Sequence, residues 1–179
     1  TGAVQSQLGR IPAAHGGTLF LDEVSELPLG MQAKLLRFLE HKEIQRLGAA
    51  EATRVDVRVL AASNVDLAAR AARGEFRQDL YYRLAAFPIE LPPLAERRSD
   101  VVPLAEHFLA CMAAMEAPPA RLGPEAIRIL EAHPWQGNVR ELQHVIERAS
   151  ILVENGETVE ARHLYFSEPN HPLRLPLLQ

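Results

Sequence analysis

The sequence predicts an α/β fold, in which a short parallel sheet with flanking helices precedes a segment that contains only helices. Two observations indicate the sheet. The apolar run Thr18–Leu21 does not alternate, which is typical of a strand buried on both faces. Val55–Ala62 alternates at first and then runs apolar. After Pro92 and Pro93 the pattern becomes purely helical, and we place the change of architecture there.

Breaker residues and apolar spacing define the other elements of the first part. Residues 43–54 form a loop or hairpin around Gly48. A third strand is predicted over Phe87–Leu91, where Pro88 removes a backbone donor and so indicates an edge position. Helical spacing predicts Leu29–Lys42, with an apolar face of Met31, Leu35, Phe38 and Leu39, and also Leu67–Arg73 and Phe76–Leu84.

Start signals predict three helices in the second part. Ser99 or Asp100 caps the first, whose apolar stripe includes Cys111. Pro124 stands where the first residue of the second helix belongs.

The third of these helices begins with a capping box. Asn138 is its predicted cap, and Glu141 follows three residues later. Beyond it, three prolines and little periodicity predict a linker over residues 166–179. We therefore divide the chain into an α/β part (1–95), a helical part (96–165) and a linker.

Composition and charge restrict the class of protein. A net charge of −4 over 179 residues gives no sign of a nucleic-acid-binding surface. The single cysteine excludes a disulfide framework, and no apolar run reaches the roughly 18 residues of a transmembrane helix. The seven histidines lack partners at metal-ligand spacing. We expect a cytoplasmic protein with no membrane association and, since the chain opens on Thr1, a piece of a longer polypeptide.

Polar side chains follow both predicted strands of the sheet. Asp22 and Glu23 come directly after the first strand, and Ser63 and Asn64 follow the second. In open α/β sheets, ligands bind at the carboxyl ends of the strands. One acid can hold Mg²⁺ through water while its neighbour orients an attacking water. The alternative is structural, with Asp22 as a helix N-cap.

Six segments stand out together by residue type and order: Thr1-Gly2-Ala3, Gly16–Glu23, Ala62-Ser63-Asn64, Phe76–Leu84, Leu91–Arg97 and Trp135–Leu142. They resemble the central AAA+ ATPase domain of NtrC-like bacterial enhancer-binding proteins, the activators that depend on sigma-54. In order, they are similar to the last half of the GAFTGA loop, Walker B, sensor I, the arginine-finger helix, the LPPLRER link and sensor II. Ala95 replaces an Arg of the family pattern, and Gln136 replaces a Pro.

The resemblance implies roles for four residues within one subunit. Asp22 would coordinate Mg²⁺ through water, and Glu23 would activate the attacking water. Asn64 would sense the γ-phosphate of ATP, although it could instead cap the following helix. Arg140 would touch the nucleotide from its own lid. Its position near a helix start opposes the helix dipole, and a solvated surface Arg is the alternative.

The resemblance also implies contacts with other molecules. Arg77 and Arg83 would reach the ATP of the next subunit in a homo-oligomeric ring, a hexamer in our expectation. They are six residues apart, about 240° around an ideal helix, so one must act from a helix end or from a bent segment. An intrahelical ion pair between Asp79 and Arg83 is the alternative. Thr1, Gly2 and Ala3 would contact sigma-54.

The implied function is that of an ATP-hydrolysing activator that uses ATP and Mg²⁺. It would remodel the sigma-54 RNA polymerase holoenzyme to promote open-complex formation, and it would contact DNA through a domain absent from this chain. No G-x-x-x-x-G-K-S/T motif occurs. We therefore expect the chain alone neither to bind ATP tightly nor to hydrolyse it. Two alternatives are a nucleotide-dead module that docks on full-length subunits and another AAA+ remodeller.

Overall fold

A computed structural model describes residues 9–45, 51–113, 118–153 and 156–166. The chain divides into two units between Ile89 and Glu90. The α/β class predicted from the sequence is confirmed by a parallel strand pair with helices in the first unit and helical packing in the second. The domain limits predicted at residues 95 and 165 stay predictions.

The first unit contains a parallel strand pair and a separate hairpin. Strand β1 pairs in parallel with β4, with Thr18 opposite Arg58 and Leu21 opposite Ala61. Strands β2 and β3 pair antiparallel, so the segment predicted as a loop or hairpin is a hairpin. In chain order the elements are α1 (Arg10–Ala13), β1 (Thr18–Leu21), α2 (Leu29–His41), β2 (Glu43–Gln45), β3 (Ala52–Arg54), β4 (Arg58–Ala61), α3 (Leu67–Ala72) and α4 (Gln78–Leu84).

Burial of β1 on both faces, as predicted from its unbroken apolar run, is wrong for this structure. Leu19 and Leu21 pack against the core, whereas Phe20 on the other face is 59% exposed. Its cross-strand neighbour Leu60 is exposed as well. Among the described residues, helices therefore cover only one face of the parallel pair.

The predicted third strand is also absent. Residues 87–91 have no strand structure, and Phe87 is 83% exposed. Pro88 cannot donate a ladder hydrogen bond, which removes one of the few contacts that could hold so short a strand. The described parallel sheet therefore has two strands where the sequence indicated three.

Helix α2 supplies most of the core of the first unit. Leu35, Phe38 and Leu39 are buried at helical spacing, against Leu80 of α4. The helix ends at Lys42, which adopts the left-handed conformation with φ 56°. Its predicted apolar face needs one correction. Met31 is 49% exposed, and the neighbouring Gln32 is buried in its place.

Among its described residues, the second unit has three α-helices and a short parallel strand pair. Strand β5 lies beside β6, with Leu122 opposite Val159. The elements are α5 (Val101–Met112), β5 (Arg121–Leu122), α6 (Pro124–Ala132), α7 (Asn138–Ile151) and β6 (Thr158–Val159). Their shared core includes Leu94, Ala105, Leu109, Leu130, Trp135, Leu142 and Ile146.

The structure can be compared with the predicted starts of α5 and α6. Pro124 occupies the first turn of α6, which confirms that signal. A 3₁₀ turn, Arg98–Asp100, leads into α5, and the Asp100 side chain makes no capping hydrogen bond. Cys111, predicted to lie on the apolar stripe of α5, is exposed.

The start of α7 differs from the predicted capping box. Asn138 is the first helical residue, with φ 54°, and Gly137 precedes it as the cap. The Oδ1 atom of Asn138 accepts a hydrogen bond from the backbone N–H of Leu94 at 2.8 Å, outside the helix. Glu141 keeps its half of the motif, because its Oε2 accepts from the Gly137 N–H at 2.8 Å.

In the part of the chain that the structure describes, each helix is too short or too polar to span a membrane.

Candidate functional site

Parallel pairing brings the polar residues after β1 and β4 to one edge of the sheet. Leu21 and Ala61 are register partners, and the N–H of Ala62 donates to the Leu21 carbonyl at 2.8 Å. The next bond runs from the Val24 N–H to the Ala62 carbonyl at 3.0 Å. The acid pair therefore leaves the sheet beside the segment that carries Asn64. This is the carboxyl edge, where α/β sheets bind ligands.

The acid pair lies in a strained turn. The Glu23 N–H donates to Oδ1 of Asp22 at 3.0 Å, and Glu23 adopts φ 48°, a left-handed conformation that a non-glycine residue rarely takes. The 3₁₀ turn Val24–Glu26 follows, and Asp22 is not its cap. Both carboxylates are exposed. They are therefore accessible to water and to a cation.

Asn64 does not cap the helix that follows it. The cap of α3 is Asp66, whose Oδ1 accepts from the Ala69 N–H at 3.0 Å. Ser63 forms a local turn with Val65, donating to its carbonyl at 2.8 Å. Within the described residues the exposed Asn64 amide makes no hydrogen bond. It is thus free to bind a ligand at the carboxyl edge.

Arg77 is the predicted finger that lies at a helix end. It precedes α4 as the N-cap residue, and its guanidinium makes two parallel hydrogen bonds to Asp79. The Nε–Oδ1 distance is 3.1 Å and the Nη2–Oδ2 distance is 2.7 Å. This hydrogen bond holds the pKa of the Asp79 carboxyl below its ordinary value and raises the pKa of Arg77. Both side chains are exposed, so water competes for these hydrogen bonds and the ion pair can break readily.

Arg83 lies in the last turn of the same helix. Its Nη2 donates to the Leu39 carbonyl at 3.1 Å. Leu39 is in the last turn of α2, where carbonyls lack helical partners and a cation complements the helix dipole. The predicted alternative, an ion pair between Asp79 and Arg83, is not formed, because Asp79 binds Arg77.

Arg140 belongs to the second unit. It lies in the first turn of α7, is exposed and contacts no described side chain or carbonyl by hydrogen bond. The predicted sigma-54 contact, Thr1, Gly2 and Ala3, lies outside the described residues.

The carboxylates at the carboxyl edge suit a Mg²⁺ ion that also binds a nucleotide better than a metal ion held by protein side chains alone. The described residues include no group of three or more His, Cys, Asp or Glu side chains that could hold a metal ion. Mg²⁺ at nucleotide sites commonly uses one or two carboxylates together with water and phosphate oxygens. Asp22, exposed at the strand end, meets that smaller requirement.

Sequence reasoning missed two side chains that hold the turn after the acid pair. Nη1 of Arg70 donates to the Ser25 carbonyl at 2.8 Å and lies 3.3 Å from the Glu26 carboxylate. Gln32 donates from Nε2 to the Leu27 carbonyl at 2.8 Å. A signal for Gln32 existed, since it stands three residues before Leu35 on the buried stripe of α2.

Comparison with known proteins gives two family matches. Residues 1–90 match the family described as the sigma-54 interaction domain. Residues 95–171 match the AAA+ ATPase lid domain.

Curated relatives are regulators, and this chain spans about a third of their length. The alginate biosynthesis transcriptional regulatory protein AlgB of Pseudomonas aeruginosa is 53% identical over 168 residues, which is 93% of this chain and 37% of AlgB. The Nif-specific regulatory protein of Azotobacter vinelandii is 47% identical over 156 residues, or 87% of this chain and 30% of that protein.

Solved structures of a similar protein contain nucleotides. NtrX from Brucella abortus in complex with ADP superposes with a TM-score of 0.81 at 37% identity, over 91% of this chain and 38% of NtrX. Its complex with ATP superposes with a TM-score of 0.79 at 38% identity, over 88% of this chain and 38% of NtrX.

Proposed function

Because the chain belongs to the sigma-54 interaction domain family and continues into an AAA+ ATPase lid, we propose that it is part of an ATP-hydrolysing transcription activator. The activator would remodel the sigma-54 RNA polymerase holoenzyme and so promote open-complex formation. One observation carries the proposal: β1 and β4 deliver the acid pair and Asn64 to one carboxyl edge. The ATP and ADP complexes of NtrX support the choice of nucleotide.

Each residue at that edge has a chemical task in the proposed reaction. The Glu23 carboxylate, exposed to solvent, accepts a proton from the attacking water. Asp22 holds Mg²⁺ through water, and that cation offsets the charge that develops on the phosphates. The free amide of Asn64 donates to the γ-phosphate. Loss of that contact after hydrolysis is the signal that the rest of the chain can respond to.

The two arginines of the α4 region complete the site of a neighbouring subunit in a ring, which we propose to be a hexamer. Arg77 releases the Asp79 carboxylate and Arg83 releases the Leu39 carbonyl, and both guanidinium groups then bind phosphate oxygens. The planar guanidinium suits such a bidentate phosphate contact. Arg140, unpartnered among the described groups, contacts the nucleotide from the lid.

The output of the cycle is a contact with the transcription machinery. Thr1, Gly2 and Ala3 would press on sigma-54, and a domain outside this chain would bind DNA. The proposed place of action is the cytoplasm, where the polymerase works.

A chimera tests the proposal. In it, this chain replaces the matched segment of NtrX, a protein whose ATP complex is known. We expect the chimera to hydrolyse ATP, and Glu23→Gln to lower turnover by about 10²–10⁴-fold with ATP binding retained. The matched control is Glu40→Gln, which changes an exposed carboxylate on α2 and should leave turnover unchanged.

Glu23→Gln turnover equal to that of the unsubstituted chimera would count against the proposal. ATP turnover by purified residues 1–179 alone would contradict a separate expectation, that the chain is inactive by itself because it carries no P-loop motif to hold the phosphates.

A further inference from the structure

Gln32 is a buried polar side chain on an otherwise apolar stripe. It lies in the first turns of α2 and is 1% exposed, beside the buried Leu35. Burying an amide is costly unless its donor and acceptor are both satisfied. The contacts that satisfy it therefore indicate why an amide occupies this position.

The two ends of the Gln32 amide bind two different segments. Nε2 donates to the carbonyl of Leu27 at 2.8 Å, and Oε1 accepts from the backbone N–H of Arg77 at 2.8 Å. Leu27 closes the 3₁₀ turn that begins at Glu23. Arg77 is the N-cap of α4. One side chain thus links the turn after the acid pair to the first residue of the proposed finger helix.

The acid-pair turn is held from a second side as well. Arg70 of α3 donates to the Ser25 carbonyl at 2.8 Å, within the same turn. Hydrogen bonds from both Arg70 and Gln32 therefore hold the turn in one position. The second hydrogen bond of the Gln32 amide then fixes the Arg77 backbone relative to that turn.

We propose that Gln32 is a positioning residue that fixes Arg77 relative to the acid pair of its own subunit. The proposal rests on the proposed function, which gives the acid pair to one ATP site and Arg77 to the next. The Gln32 amide donates to Leu27 and accepts from Arg77 at once, whereas methionine cannot donate and accepts only weakly, and an ionised glutamate cannot donate. Gln32 therefore connects two consecutive ATP sites of a ring through a single side chain.

The first test uses the 179-residue chain and needs no activity. Gln32→Met keeps the side-chain length and removes both hydrogen bonds. We expect the amide hydrogen of Arg77 to exchange about tenfold faster relative to that of Ala85, which bonds Tyr81 in the same helix. Equal acceleration at both amides would mean that Gln32 merely stabilises the fold, and would overturn the proposal.

Two further variants sharpen this measurement. Gln32→Glu retains an acceptor for the Arg77 N–H, and we expect the Arg77 amide to stay protected more than in Gln32→Met. Gln78→Met is the matched control, because it removes an exposed glutamine amide next to Arg77 and should leave its exchange unchanged. Loss of protection in Gln78→Met would contradict the assignment to Gln32.

The second test separates action on the neighbour from action within the subunit. In the NtrX chimera, Gln32→Met should lower ATP turnover at least tenfold, as a displaced Arg77 would. Mixing it with Glu23→Gln subunits should restore activity, because roughly a quarter of the interfaces in an equal mixture pair intact acids with an intact finger. Arg77→Ala mixed with Glu23→Gln is the positive control.

The outcomes distinguish the two proposals. If the Arg77→Ala mixture recovers and the Gln32→Met mixture does not, Gln32 acts on the acid pair of its own subunit and the positioning role is wrong. If the unsubstituted chimera lacks ATP turnover, the proposed function fails, whereas the exchange of the Arg77 amide still decides whether Gln32 fixes that backbone.

Discussion

Asn138 gives the sharpest stability prediction, because its contact differs from the one that its sequence context indicates. Its Oδ1 accepts the N–H of Leu94, a residue with 0% exposure. Its backbone has φ 54°, which asparagine tolerates better than alanine does. Replacement by alanine therefore removes an acceptor from a buried donor and also puts in the left-handed region a residue that adopts it less readily than asparagine does.

The two effects can be estimated separately. An unsatisfied buried amide costs about 1–3 kcal/mol, and the left-handed conformation adds about 1–2 kcal/mol for alanine. We expect Asn138→Ala to lower the free energy of unfolding of the second unit by about 2–5 kcal/mol. Asn138→Gly should cost about 1 kcal/mol less, since glycine adopts this φ freely. Asn138→Asp, which keeps the acceptor, should cost the least.

Urea unfolding followed by tryptophan fluorescence measures these differences. The chain has a single tryptophan, Trp135, and it is buried in the second unit with its indole N–H bonded to the Leu130 carbonyl at 2.9 Å. An Asn138→Ala change within about 0.5 kcal/mol of the unsubstituted chain would refute the hydrogen-bond argument. Equal losses for alanine and glycine would refute the conformational one.

Three other predictions concern single side chains. Arg77→Gln removes the hydrogen bond that lowers the pKa of Asp79, so an NMR titration should find a higher pKa for Asp79 in the variant. In the unsubstituted chain, the pair stabilises the fold at pH values above the ordinary aspartate pKa, and this stabilisation is lost as the pH falls through the lowered pKa. Leu80→Ala should cost about 2–5 kcal/mol by amide exchange of the first unit, and the exposed Tyr82→Ala about 0.5 kcal/mol or less. Gly137→Ala places a methyl 2.9 Å from a Cβ of α7, and should cost about 1–3 kcal/mol by tryptophan fluorescence.

Elements whose signals are local were predicted well from the sequence. Helix α2 forms over nearly the whole predicted span, because its apolar residues repeat at helical spacing. Pro124 begins α6 because its fixed φ and missing donor suit a first turn. β1 has the predicted limits, since the glycine pair before its four residues and the acid pair after them leave little choice of where the strand begins and ends.

Elements that depend on tertiary partners were predicted poorly. Asn138 has the local sequence pattern of a helix cap, yet its side chain accepts a hydrogen bond from the buried N–H of Leu94, 44 residues away. Gln32 was passed over because a polar residue on an apolar stripe has no explanation until Leu27 and Arg77 are placed around it. The strand over residues 87–91 had the right composition and no partner among the described strands.

The placement of the site follows from topology, whereas its chemistry depends on contacts that no spacing reveals. Parallel register alone puts the acid pair and Asn64 at one edge. The sequence could not show that Asp79 pairs with Arg77 and leaves Arg83 to the end of α2.

In the proposed ring, those two contacts decide what the ATP of a neighbouring subunit must displace to bind Arg77 and Arg83. The pair between Arg77 and Asp79 is exposed and formed within one segment, so a phosphate needs only to outcompete a solvated carboxylate. The Arg83 bond to the Leu39 carbonyl is worth about 1 kcal/mol, with a modest addition from the helix dipole. A finger that contributes about 10³–10⁵-fold in rate exceeds either loss. In the proposed ring, both arginines can therefore bind groups of their own subunit and exchange them for the phosphates of the next one, Arg77 from the N-cap position and Arg83 from the last turn of α4.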